Sequence, residues 1–95
     1  MEKYAWIIDL ASPEERDADG TKGPAGIDPE LEKLLDEGGG IPFKMYDDDD
    51  NLYYCGRLVG EDATGFEPLD DFGTPNAGAS YIKLYNEKTS TFETL

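Results

Sequence analysis

Apolar residues in this chain come in short alternating runs separated by long polar stretches. In residues 3–9 (KYAWIID), Tyr4, Trp6 and Ile8 fall on one face of an extended strand and Ala5 and Ile7 on the other. Because both faces are apolar, the run predicts a strand inside a sheet. Ile41, Phe43 and Met45 alternate in the same way over 41–46, and Leu52, Tyr54, Gly56 and Leu58 do so over 52–59. Residues 47–51 then form a five-residue hairpin loop. Residues 79–86 (ASYIKLYN) predict a further strand, and a weaker one covers 91–93 after a turn at 86–88.

One segment has helical spacing instead. Asp28 suits an N-cap, Pro29 the first helical position, and Glu30 the positive end of the helix dipole. Leu31, Leu34 and Leu35 follow i, i+3, i+4 spacing as the buried stripe of a helix running to Asp36. Gly38, Gly39 and Gly40 then end it, since glycine takes the left-handed cap conformation freely. Residues 10–27 and 60–78 are rich in Gly, Pro and charge without a sustained period, and read as long mobile loops. The expected fold is a single α+β domain over 1–95, with an antiparallel sheet of four to five strands and one short helix packed on a face. Pattern does not fix the order of the strands.

Charge changes the picture most. There are 22 Asp and Glu against 8 Lys and Arg, a net −14 on 95 residues. Such a surface repels nucleic-acid phosphate and anionic lipid, and it draws cationic surfaces within about 8 Å at physiological salt. The expected partner is a basic nucleic-acid-binding protein or complex, with no direct binding to nucleic acid and no membrane association. Mean hydropathy is −0.61, but the aromatic residues sit inside the strand-like runs, so the chain reads as folded. The chain has no His, the commonest general base and metal ligand. Cys55 is the only cysteine, which fits a reducing cytoplasm and rules out an intrachain disulfide. The apolar run at 4–8 is too short for a signal-peptide core or a membrane span.

Asp47, Asp48, Asp49 and Asp50 are the sharpest local signal. Carboxylates about 6 Å apart repel by about 0.7 kcal/mol in water, so such a run must stay wet or meet a cation. A solvated hairpin tip, a protein-binding epitope and a divalent-metal site all meet that requirement. Asp47, Asp49 and Asn51 match the first alternating ligands of a calcium loop, but Leu52 stands where its glycine belongs and Leu58 where its bidentate glutamate belongs. No specific metal site and no cofactor are therefore expected. Over residues 47–71 the acids are Asp47, Asp48, Asp49, Asp50, Glu61, Asp62, Glu67, Asp70 and Asp71, nine negatives against Arg57. Folded carboxylates about 5 to 7 Å apart can imitate a row of nucleic-acid phosphates, or can simply keep a small protein soluble.

The other candidates have plainer readings beside them. GTKGPAG at 20–26 has neither dinucleotide nor P-loop spacing and reads as a turn. Glu67, Asp70 and Asp71 would need a cleft to act as an acid/base pair, so the chain is not expected to be an enzyme. Phe66, Leu69 and Phe72, interleaved with acids, suit either a docking loop or a plug for the sheet. Cys55 reads as a small packed residue with no activating neighbour apart from Arg57.

In size, net charge, absence of His and the acidic stretch at 47–71, the chain resembles small acidic anti-defence proteins of phages and mobile elements. That class includes anti-restriction proteins, anti-CRISPR proteins and the phage uracil-DNA glycosylase inhibitor. The resemblance carries no diagnostic motif. It implies a non-enzymatic inhibitor that presents carboxylates to a basic nucleic-acid groove; the chain is expected to be a monomer or homodimer. Asp47, Asp48, Asp49, Asp50, Glu61, Asp62, Glu67, Asp70 and Asp71 are then the candidate contacts. The alternative is a small interaction domain that docks through Phe66, Leu69, Phe72 and exposed tyrosines, with its acids serving solubility.

Overall fold

The computed structural model describes residues 4–12, 18–60 and 63–95. It is an α+β fold in which six strands form one sheet: β1 (Ala5–Ala11), β2 (Lys22–Gly23), β3 (Ile41–Tyr46), β4 (Leu52–Val59), β5 (Tyr81–Asn86) and β6 (Thr91–Thr94). Their order is β2-β1-β4-β3-β5-β6, and every neighbouring pair is antiparallel. β1 lies between β2 and β4, and both its faces are apolar because both are covered: Ala5 is buried with Leu35 and Val59 on one side, while Trp6 and Ile8 join the main core on the other. Among the described residues no helix is long and apolar enough to cross a membrane.

The sixth strand corrects the expected count of four to five. β2 has only two residues, opposite Trp6 and Ile7, and a period of two is not readable in so short a piece. Gly23 is required there because a Cβ would overlap the Trp6 indole. β1 also runs past Asp9, where its predicted stretch ends. Register shifts between Ile8 and Leu10, so Asp9 is the extra residue of a bulge and the strand resumes beyond it.

Helix α1 (Pro29–Asp36) has the predicted bounds, with the Asp28 carboxylate accepting from the Glu30 N–H at 2.8 Å. Its buried stripe is narrower than the spacing suggests. Leu35 is fully buried on Ala5 and Val59, and Leu31 packs beside it, whereas Leu34 is 47 % exposed. The helix packs mainly against β1 and β4, and Lys22 of β2 bridges Glu32 and Asp36 on it at 3.3 and 2.6 Å.

The main core lies on the opposite face, where Trp6, Ile8, Phe43, Met45, Tyr54, Leu58 and Ile82 are all at most 3 % exposed. Their cover is partly helical. A π-helical run, Leu69–Gly73, continues directly into α2 (Thr74–Ala77) within the stretch read as an irregular loop at 60–78. Gly56 allows this packing, because a Cβ there would overlap the Ile7 carbonyl and lie 2.6 Å from Phe43 Cζ.

Arg57 joins the helix to the sheet. Its guanidinium donates twice to Asp9, from Nε at 2.7 Å and Nη2 at 2.8 Å, and its Nη1 donates to the carbonyls of Leu35 and Gly39 at 2.7 and 3.0 Å. One side chain thus holds the strand bulge and ties it to the chain leaving α1, where the Leu35 carbonyl also accepts from the Gly38 N–H at 3.0 Å.

Candidate functional site

The run of four aspartates forms the β3–β4 hairpin tip, and the tip is internally braced. Asp47 Oδ1 accepts from the backbone N–H groups of Asp49 and Asn51, both at 2.9 Å, while Oδ2 accepts from Asn51 Nδ2 at 3.0 Å. Backbone bonds from Asp47 N to Asn51 O and from Asp50 N to Asp47 O, each 3.1 Å, close the loop. Asp50 adopts φ 64°, and its carboxylate accepts the Tyr81 hydroxyl from the neighbouring strand. The donors around Asp47 stabilise its charged form: the Asn51 side chain above all holds the Asp47 carboxyl below its ordinary range. The Asp50 carboxylate pushes the Tyr81 phenol up to about 12. Asp48 and Asp49 remain exposed, with no donor to either carboxylate among the described residues.

The remaining acids of the 47–71 stretch lie elsewhere. Glu67 is turned back on its own loop and accepts from Thr64 N at 2.7 Å, Thr64 Oγ1 at 3.1 Å and Gly65 N at 2.8 Å. Burial alone would raise its pKa, but those donors outweigh it and hold the carboxyl below its ordinary range. Asp71 accepts from Tyr4 Oη at 2.8 Å and Trp6 Nε1 at 3.1 Å, and Asp70 is exposed beside it. Glu61 and Asp62 lie outside the described residues. Trp6 pairs with Leu58, six residues and about 20 Å of strand along β4 from Leu52, so the residue that holds Asp71 is rooted away from the tip. Sequence proximity therefore overstates the array: the structure brings Asp47, Asp48, Asp49 and Asp50 together and sets Asp70 and Asp71 apart from them.

Of the aromatic candidates, Phe72 packs against Trp6 and Tyr54 at ring distances of 5.3 and 5.1 Å, and Leu69 is buried. Phe66 is 43 % exposed. Among the described residues, no three His, Cys, Asp or Glu side chains come together as a metal-binding group.

Pattern reading missed a second surface, on the face of β3, β5 and β6 that α1 does not reach. Lys44 and Lys83 are direct cross-strand neighbours there, and neither has a carboxylate within ion-pair distance among the described residues. Each ammonium lies over a ring instead, Lys44 4.4 Å from the centre of Phe92 and Lys83 5.1 Å from that of Tyr46. Tyr46 in turn stacks on Tyr81 at 5.1 Å, and Tyr85 meets Phe92 edge-on at 5.3 Å. Cys55 pairs with Lys44 on this face; burial pushes its thiol up, and Lys44 only partly opposes that. The alternation of Lys44 with Phe43 and Met45, and of Lys83 with Ile82 and Leu84, was the available signal. It became a surface only once β3 was seen to pair with β5.

No protein-family model matches this chain, and no curated protein or solved structure is significantly similar to it.

Proposed function

We propose that this protein acts without catalysis, as an acidic ligand for the basic, nucleic-acid-binding groove of a target protein. The braced hairpin tip carries the reading. Tightly hydrogen-bonded Asp47 and Asp50 hold the loop in one conformation, so Asp48 and Asp49 are offered to a partner at little further entropic cost. A net charge of −14 steers that tip toward a cationic surface. Lys or Arg side chains that ordinarily meet phosphates would then meet carboxylates, which is the mode of action expected of an anti-defence protein such as an anti-CRISPR.

The test is capture of proteins from a bacterial lysate at low and high salt, by the wild-type chain and by Asp48→Asn/Asp49→Asn. The expected result is a nucleic-acid-binding protein that is held at low salt, released at high salt, and lost with the double substitution. Capture indifferent to salt, or unchanged by the two asparagines, overturns the reading.

A further inference from the structure

Where α1, the start of β3 and the β5–β6 hairpin meet, aliphatic side chains gather outside the core. Leu34, Ile41 and Leu95 are 47, 49 and 46 % exposed. Two depressions of about 510 and 330 Å³ adjoin there and share Ile41 and Leu84 as walls. Leu95 lines the larger and Leu34 the smaller. Gly65, at φ 108°, brings the backbone so close that a Cβ would come within 2.6 Å of Leu84 Cδ1. Single exposed leucines are ordinary on a protein surface, but a continuous apolar groove marks a docking site.

The rim decides what fits. Glu87 and Glu93 border the larger depression together with Lys88. Neither glutamate forms an ion pair among the described residues; Glu93 accepts only from Asn86 Nδ2, at 2.7 Å. An apolar floor with acid at its edge, on a chain of net −14, complements a segment with aliphatic residues on one side and Lys or Arg on the other. An anionic lipid surface is repelled by that charge, and a second copy would bring a further −14 against it.

We propose that this groove seats an amphipathic, cationic segment of the partner, with an aliphatic side chain between Ile41, Leu84 and Leu95 and basic side chains on Glu87 and Glu93. The inference rests on the proposed function for the sign of the partner's charge but uses a different surface. Ile41 and the hairpin tip lie at opposite ends of β3, about 20 Å apart for six residues of strand. The two contacts can therefore fail separately.

The probe is a designed amphipathic helical peptide made only of Leu and Lys, with a control in which Ser replaces every Leu, each titrated into isotopically labelled protein and followed by amide NMR shifts. The Leu/Lys peptide is expected to move the amides of Ile41, Leu84, Glu93 and Leu95. Ile41→Ser/Leu95→Ser, at two half-exposed positions that leave the core intact, should weaken binding about tenfold or more. Glu87→Gln/Glu93→Gln should weaken it several-fold and flatten its salt dependence. Asp48→Asn/Asp49→Asn should leave it unchanged, and the serine control should leave the groove amides unmoved. Equal binding by the Ile41→Ser/Leu95→Ser variant, or shifts confined to residues 47–51, overturns the proposal. So does a concentration-dependent dimer, or adsorption to anionic vesicles, that this variant abolishes, since either assigns the groove to another occupant. If target capture survives Asp48→Asn/Asp49→Asn but not Ile41→Ser/Leu95→Ser, the phosphate-mimicking tip fails and the groove stands.

Discussion

The two faces of the sheet carry alternate residues of the same strands, yet they have opposite fates. On one face Phe43, Met45, Tyr54 and Ile82 lie at 0 to 1 % exposure beneath Leu69, Phe72 and Ala79. On the other, α1 covers β1 and β4 and stops, so Lys44, Tyr46, Tyr81, Lys83, Tyr85 and Phe92 stay half-exposed. Strand chemistry alone does not separate them, since both carry aromatic rings. The difference is the layer laid over each. The uncovered face keeps two lysines directly opposite one another, an arrangement that costs stability by repulsion and keeps an aromatic surface wet.

Paired truncations on the two faces should differ most. Tyr54→Ala should lose about 3 to 5 kcal/mol in urea denaturation, because it empties the covered face. Tyr46→Ala, on the uncovered face, should lose only about 1 kcal/mol, the value of an exposed ring stack. Similar losses at the two positions would mean that the open face is part of the core.

A smaller effect is expected where the helix-bearing part of the open face is tied down. Arg57→Ala removes the two hydrogen bonds to Asp9 and those to the carbonyls of Leu35 and Gly39, and should cost about 2 kcal/mol. Arg57→Lys should recover little of it, since one ammonium cannot reproduce the planar fork. Faster amide exchange in α1 than in β3 of the alanine variant would show that the loss is local to the helix dock.

The smallest effect is electrostatic and belongs to the hairpin tip. Tyr81 holds its proton to about pH 12 because Asp50 accepts from it, against an ordinary 10.0. A phenol whose pKa is raised on folding contributes stability that is complete below pH 10 and is lost as pH rises through about 12. Asp50→Asn should bring the titration back toward 10.0, read as the difference in phenolate absorbance between each chain and its Tyr81→Phe counterpart. No movement would show that the tip is not anchored to β5 and would weaken its claim to a fixed shape.

Short-range features were legible residue by residue. Asp28 and Pro29 placed the start of α1 because a cap needs only an oxygen and a fixed φ within a few residues. Alternation located β3, β4, β5 and the last strand, and 47–51 connected the first hairpin. β2 escaped because two residues have no period, and the π-helical cover escaped because Gly and Pro in that stretch read as loop punctuation.

The candidate site divides along the same line. Four consecutive aspartates had to share a tip, because the chain gives them no distance in which to separate. Asp70 and Asp71, twenty-odd positions further on, were free to fold away, and Asp71 did so against Tyr4 and Trp6 while Asp70 stayed exposed beside it.

From residue order alone follow the charge, the helix cap, the strand runs and the acidic hairpin, since each rests on interactions among near neighbours. Only the folded chain decided that β3 lies between β4 and β5, that Lys44 meets Lys83, that Leu34 is left beside Ile41, and that Arg57 reaches the end of α1. Those contacts join segments distant in sequence, and they form as Tyr54, Phe43 and Ile82 are brought out of water into one core.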